Sequence, residues 1–248
     1  MKSIVPGAIT RLSEFVSRVT APNPGFMTGP GTNTYIIGSD ALALIDPGPE
    51  SAPHLSVMLE AVDRRLKWIL CTHTHLDHSP GARALQAETG AQVLGFGAVP
   101  NDGRQDGAFT PDRALRDGDT LDCGAFLLRA VHTPGHASNH LCYLLEQQKL
   151  LFTGDHVMQG STVVISPPDG DMAVYLDSLE RLLALDLAAL APGHGHVIER
   201  PHDEVRRLIA HRMMREQKVL DAFQHGNPAT LDDLLPLVYD DVSQRVHP

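Results

Sequence analysis

Cysteine is sparse in this chain. Cys71, Cys123 and Cys142 are three, an odd number at wide spacing, which excludes a disulfide scaffold and fits a reducing, cytoplasmic interior. Long apolar runs are missing as well. None approaches the ~20 residues that span a bilayer, so no membrane contact is expected. The opening Met1-Lys2-Ser3-Ile4-Val5-Pro6-Gly7 has no long apolar core and no small-residue cleavage site, so no secretory leader is read there. Positive charge is also short. Twenty Lys and Arg against 30 Asp and Glu leave a net charge of −10. That balance argues against a chain that grips nucleic acid by bulk electrostatics, and leaves only a local basic face for it. Internal repeats and low-complexity tracts are absent.

Histidine is abundant by contrast. The chain has 14, and His73, His75, His78, His132, His136, His140, His156, His194 and His196 fall in four short segments. Clustering of that kind suggests a shared task, because histidines placed only for solubility would scatter. The densest segment is Cys71-Thr72-His73-Thr74-His75-Leu76-Asp77-His78. The apolar, β-prone run Lys67-Trp68-Ile69-Leu70 precedes it, and Ser79-Pro80-Gly81 opens a helical pattern after it. The cluster therefore belongs on a loop leaving the C-terminal end of a strand, where α/β folds place their chemistry.

Metal binding follows from residue type and spacing. His73 and His75 are two apart, so on extended backbone both rings point the same way. Imidazole and carboxylate are ligands that zinc accepts. Asp77 and His78 lie where the chain turns into the helix and can face a second ion. Cys71 stands two residues before His73, either as a further ligand or as a small packing hydrophobe; packing is the preferred reading. Six residues cannot close two sites, so the rest of the chain must supply more donors. Val131-His132-Thr133-Pro134-Gly135-His136 can add His136 to His73 and His75. Thr153-Gly154-Asp155 offers a carboxylate able to bridge two ions, and Pro192-Gly193-His194 can close the second site with Asp77 and His78.

Elsewhere the pattern alternates strand and helix. Strands are expected at 34–37 and 41–45 around a hairpin turn, at 68–71, 92–95, 121–128, 141–145, 150–152, 163–165 and 188–191. A helix from Ser51 carries Leu55, Met58, Leu59, Val62 and Leu66 as its buried stripe, and further helices are expected at 79–89, around 176–183 and at 203–224. The Gly- and Pro-rich segment 23–31 either arches over the site or merely connects strands. Residues 101–111 read as an exposed loop. The helix at 203–224 presents Arg206, Arg207, Arg212, Arg215 and Lys218 on one face, and Thr230 caps a last short helix from Leu231.

Taken together, Thr72-His73-Thr74-His75-Leu76-Asp77-His78, His132-Thr133-Pro134-Gly135-His136, Thr153-Gly154-Asp155 and Pro192-Gly193-His194-Gly195 resemble the metallo-β-lactamase superfamily. The resemblance implies an α/β, four-layer αβ/βα sandwich over residues 1–200 as the catalytic domain, with a small C-terminal helical extension over 201–248. It implies one ion on His73, His75 and His136, a second on Asp77, His78 and His194, and Asp155 as the bridge. Asp46, in Ile45-Asp46-Pro47-Gly48, matches an aspartate that orients ligands from behind. His156 departs from the usual pattern and is expected in the same supporting role. Gly31-Thr32-Asn33-Thr34-Tyr35 and the run 211–217 resemble the endoribonuclease and thioesterase branch, whose winged-helix-like module residues 227–248 would begin.

The expected activity is hydrolysis by hydroxide held between two zinc ions, with iron or manganese as alternatives, and with Asp77 as the catalytic residue that orients the hydroxide or takes its proton. An ester or thioester, small or on an acyl carrier, is the first substrate reading. Single-stranded RNA cleavage and iron-dependent sulfur dioxygenase-like chemistry are the rivals.

Overall fold

The computed structural model describes residues 3–225 and 230–241. The chain divides into two compact units, Met1–Pro201 and His202–Pro248.

The first unit holds two sheets. One contains β1 (Ile9–Arg11), β2 (Val16–Thr20), β3 (Asn33–Ile37), β4 (Leu42–Ile45), β5 (Leu66–Leu70), β6 (Gln92–Phe96) and β7 (Arg113–Leu115), side by side in chain order. Its first four strands are antiparallel and its last four parallel, with β4 common to both sets. The other contains β8 (Thr120–Asp122), β9 (Leu127–His132), β10 (Leu141–Leu145), β11 (Leu150–Gly154) and β12 (Ala189–Pro192), with only β11–β12 parallel. Helices α1 (Ala52–Val62) and α2 (Gly81–Thr89) join the parallel strands, and α3 (Met172–Leu182) precedes β12.

Side-chain alternation explains the stacking. Along β3 and β4, Tyr35, Ile37, Ala43 and Ile45 turn to one core, where they meet Leu128, Ala130, Tyr143 and Phe152 of the other sheet. The Tyr35 and Phe152 rings lie 5.0 Å apart. Ile36, Leu44 and Ile69 turn the opposite way and meet Met58 and Val62 of α1 and Leu85 of α2. Strands covered on both faces read as continuous apolar runs, which is why β4 is simply Leu-Ala-Leu-Ile. Sheets face to face with helices outside make the expected αβ/βα sandwich.

Several expectations change in detail. Leu66 belongs to β5, not to α1, because Asp63 and Arg64 adopt left-handed backbone and stop the helix. Leu66 still packs against the α1 side chains, so it satisfies the helical stripe without being helical. Residues 121–128 are not one strand: the Cys123 N–H donates to the Phe126 carbonyl, and the turn splits β8 from β9. Val163–Ile165 is not a strand; it is irregular backbone beside the site. β1, β2 and β7 carry too little alternation to be read in advance.

The second unit holds α4 (Pro201–His225, of which Pro201 closes the first unit) and α5 (Leu231–Val238). Thr230 does cap α5, through a reciprocal pair with Asp233. Residues 226–229 and 242–248, part of the stretch expected to begin a winged-helix-like module, lie outside the described residues.

Candidate metal centre

Every predicted ligand leaves the C-terminal end of a strand at one rim of the sandwich. The segment 71–79 follows β5, His136 follows β9, Asp155 follows β11, and His194 follows β12. Parallel register between β11 and β12 sets Gly154 beside Pro192, which brings Asp155 and His194 level.

The donor atoms then converge into two overlapping groups. His75 Nδ1 lies 2.9 Å from His73 Nε2 and 3.0 Å from His136 Nε2. On the other side, His194 Nε2 lies 3.3 Å from an oxygen of Asp77, and His78 Nε2 lies 3.6 Å from the same oxygen. Asp155 stands between them. Its Oδ1 is 3.4 Å from His78 Nε2 and 3.3 Å from His194 Nε2, while Oδ2 is 3.7 Å from His136 Nε2. Donors at tetrahedral angles on zinc would stand about 3.3 Å apart, given bonds of about 2.0 Å.

The unmet bonding at the centre calls for a cation. His78 Nε2 and Asp155 Oδ1 are buried, face each other, and have no hydrogen-bond partner. An unsatisfied buried nitrogen or carboxylate oxygen is costly, and a shared positive ion removes the cost. Glycine makes the approach possible. A Cβ on Gly193 would sit 2.7 Å from Asp155 Oδ1 and 2.8 Å from His78 Cε1, so any larger residue would push the ligands apart. The donor set, imidazole with carboxylate, suits zinc and its neighbours.

Electrostatics agree. Burial alone would lower the His78 pKa, but the carboxylates of Asp77, Asp155 and Asp46 outweigh it and hold the ring well above its ordinary value. Burial also lowers that of His194, yet Asp155 and Asp77 raise it to about 9. Asp155 is held well below the usual carboxylate range because the attraction of His194 and His78 exceeds its desolvation. The carboxylates demand positive charge, and protons on imidazole supply it when nothing else does. His73 goes the other way, lowered by burial and then by the surrounding histidines, and so stays a neutral donor.

The far side of each ring is anchored. Asp46 Oδ2 accepts from His78 Nδ1 (2.9 Å) and from the Thr72 hydroxyl (2.8 Å), and Oδ1 accepts from the Thr72 N–H (2.7 Å). With its own proton turned to Asp46, the Thr72 hydroxyl accepts from His73 Nδ1. The Gly31 carbonyl accepts from His194 Nδ1 at 3.2 Å, and the Val164 carbonyl from His136 Nδ1 at 2.6 Å. Such contacts fix ring orientation and tautomer. Cys71 is buried among apolar side chains, away from the donor groups.

His156 stands apart. Its ring meets Tyr175 edge-on at 5.1 Å, both nitrogens lack partners, and it makes no hydrogen bond to the seven donors. His140 fills the place behind Asp155: its Nε2 accepts the Asp155 N–H at 3.2 Å, and its Nδ1 meets the Thr133 hydroxyl at 2.9 Å. The sequence signal for His140 was only its membership of the histidine clusters. Residues 101–111 are also part of the site. The Asp106 N–H donates to the Thr74 carbonyl at 2.6 Å, the Thr74 hydroxyl donates to Gln105 Oε1, and His75 pairs with Gln105 as an isolated bridge. Segment 23–31 contributes Met27 to the wall of the pocket above the donors.

Comparison with known proteins gives the family. The model of the metallo-beta-lactamase superfamily matches residues 27–194. The chain is 37% identical over 220 residues to lactamase-like protein vrtG of Penicillium aethiopicum, covering 87% of this chain and 68% of that one. It is 36% identical over 221 residues to an atrochrysone carboxyl ACP thioesterase of Aspergillus fumigatus, covering 86% and 66%. A beta-lactamase domain protein from Burkholderia ambifaria shares the fold at a TM-score of 0.78 and 20% identity, over 96% of this chain and 86% of that one. The chain therefore belongs to the metallo-beta-lactamase superfamily and is a metal-dependent hydrolase.

Proposed function

We propose that this chain is a cytoplasmic, dinuclear zinc thioesterase acting on small or carrier-bound acyl groups. The supporting observation is Asp155, whose two oxygens face the two donor groups while Oδ1 lacks a hydrogen-bond partner. His73, His75 and His136 would hold one ion, Asp77, His78 and His194 the other, and Asp155 both. Bound there, the pair of ions would supply a water acidified towards neutrality and polarise the carbonyl under attack.

The protein's own groups do the rest. Asp77 is the candidate base. Burial would raise its pKa, but His78 and His194 outweigh that and lower it, so the carboxylate is ionised and free to accept a proton. Met27, Leu76 and Val164 line the pocket and offer apolar surface to an acyl chain. In the reaction a water oxygen joins the acyl carbon, the C–S bond breaks, and the thiolate leaves with the proton that Asp77 took up. Free, unpaired cysteines, two of them buried, support a reducing compartment.

The name of the Aspergillus relative favours an acyl-carrier thioester over other esters. RNA is the weaker reading, because four of the basic residues of α4 pair with acids: Arg206 with Asp203, Arg207 with Glu204, Arg215 with Asp241 and Lys218 with Asp240. The test is thioester hydrolysis by zinc-loaded protein. His73→Ala and Asp155→Ala should each abolish turnover and lower bound zinc while the circular dichroism spectrum persists; full turnover in either variant refutes the assignment.

A further inference from the structure

The pocket above the donors is small and chemically divided. It holds about 280 Å³, close to the lower end of ligand pockets, which begin at about 300 Å³. Part of the lining is apolar: Met27, Leu76 and Val164 are 54%, 58% and 47% exposed. Such side chains suit the methylenes of a short acyl chain.

Arg104 lines the same pocket, the one Lys or Arg among the described residues to do so. Its position is set by its neighbours. Gln105 is bridged to the backbone of His75 and accepts from Thr74 through its side chain, and Asp106 is tied to the Thr74 carbonyl and to the Ser79 hydroxyl. Asp102 could have neutralised Arg104, two residues on. Instead its carboxylate accepts from the Arg104 N–H at 2.9 Å and from the Gln105 amide at 3.1 Å. The guanidinium makes no ion pair with any described carboxylate, in a protein of net charge −10 where acids are plentiful. A planar, permanently charged fork on the lining of a pocket that is otherwise partly apolar is suited to a carboxylate.

We infer that Arg104 is a specificity-determining residue that selects short acyl groups ending in a carboxylate. The methylenes lie along Met27, Leu76 and Val164, the reacting carbonyl faces the donors, and the distal carboxylate meets Arg104. This rests on the thioesterase reading for the reacting end, but the recognition of the far end is separable from it.

The test pairs two acyl groups of equal length, pentanoyl and glutaryl, each as the N-acetylcysteamine thioester, with zinc-loaded full-length chain. The native protein should prefer glutaryl in kcat/KM by about three- to fivefold, the upper range of an exposed charge-assisted pair. Arg104→Gln should erase that preference, chiefly through KM for the glutaryl substrate, and Arg104→Lys should keep part of it. Binding of the ketone analogues, with methylene in place of sulfur, is measured alongside by calorimetry. If neither thioester is turned over, the proposed function fails, and the ketones still decide the role of Arg104. Equal affinity of the glutaryl ketone for native protein and Arg104→Gln, or no preference for glutaryl in the native protein, would overturn the inference.

Discussion

One carboxylate behind the site steadies two rings at once. Asp46 receives His78 Nδ1 directly and reaches His73 through the Thr72 hydroxyl, and it is itself held in left-handed backbone at φ 52°. Replacing it with Asn would keep the size and lose an acceptor. The amide nitrogen would then face the Thr72 hydroxyl or His78 Nδ1, donor against donor. Asp46→Asn should weaken zinc binding by about 10- to 100-fold, the usual cost of such supporting contacts, as measured by competition with a chromophoric chelator. Unchanged affinity would mean that the rings are positioned by packing alone.

The join between α1 and the first sheet has its own titratable group. His54 of α1 is buried and donates from Nε2 to the Thr34 hydroxyl of β3, which in turn donates to the Asp46 carbonyl. Burial pushes the His54 pKa down from 6.5 to about 4. In the unfolded chain the ring takes a proton near pH 6.5, which favours unfolding. Its contribution to stability is therefore complete above that pH and is lost as pH falls towards about 4. His54→Gln keeps an amide donor and removes the titration. Urea midpoints of the metal-free proteins, compared at about pH 7 and about pH 4.5, should fall more steeply for the native chain, by roughly one proton's worth of slope. Equal slopes would show that protonated His54 is tolerated.

Across the whole molecule, the metal centre gathers strand ends from both sheets, so its loading should be felt in global stability. Stripping the metals should lower the melting temperature, and zinc should restore it, by about 4 kcal/mol at a free zinc concentration a thousand times its dissociation constant. Loading should also release protons. His78 is held well above its ordinary pKa and His194 at about 9, so near pH 7 both carry protons that bound ions must displace. Zinc affinity should thus rise with pH up to about 9, and calorimetry in two buffers of different ionisation enthalpy should count the protons. A loading step with no proton release would contradict the electrostatics of the site. Among the described residues no helix is long and apolar enough to cross a membrane.

How much of this was legible in advance depended on how local the cause was. His73, His75, Asp77 and His78 are neighbours in sequence, and the apolar strand before them already placed them at a strand end. Gly154-Asp155 and Gly193-His194 repeat that pattern, so the donor set could be read from residue type and strand boundaries. The capped helix at Thr230 was legible for the same reason, because a cap is settled within three residues. Other features depended on contacts between residues far apart in the chain. That Arg104 faces the pocket follows from Gln105 meeting His75, and that His140 rather than His156 backs Asp155 follows from how β10 and β11 pair. Sequence alone determined which atoms were available to bind. The packing of two sheets, an interaction of alternating faces over many residues, decided which of them share a site.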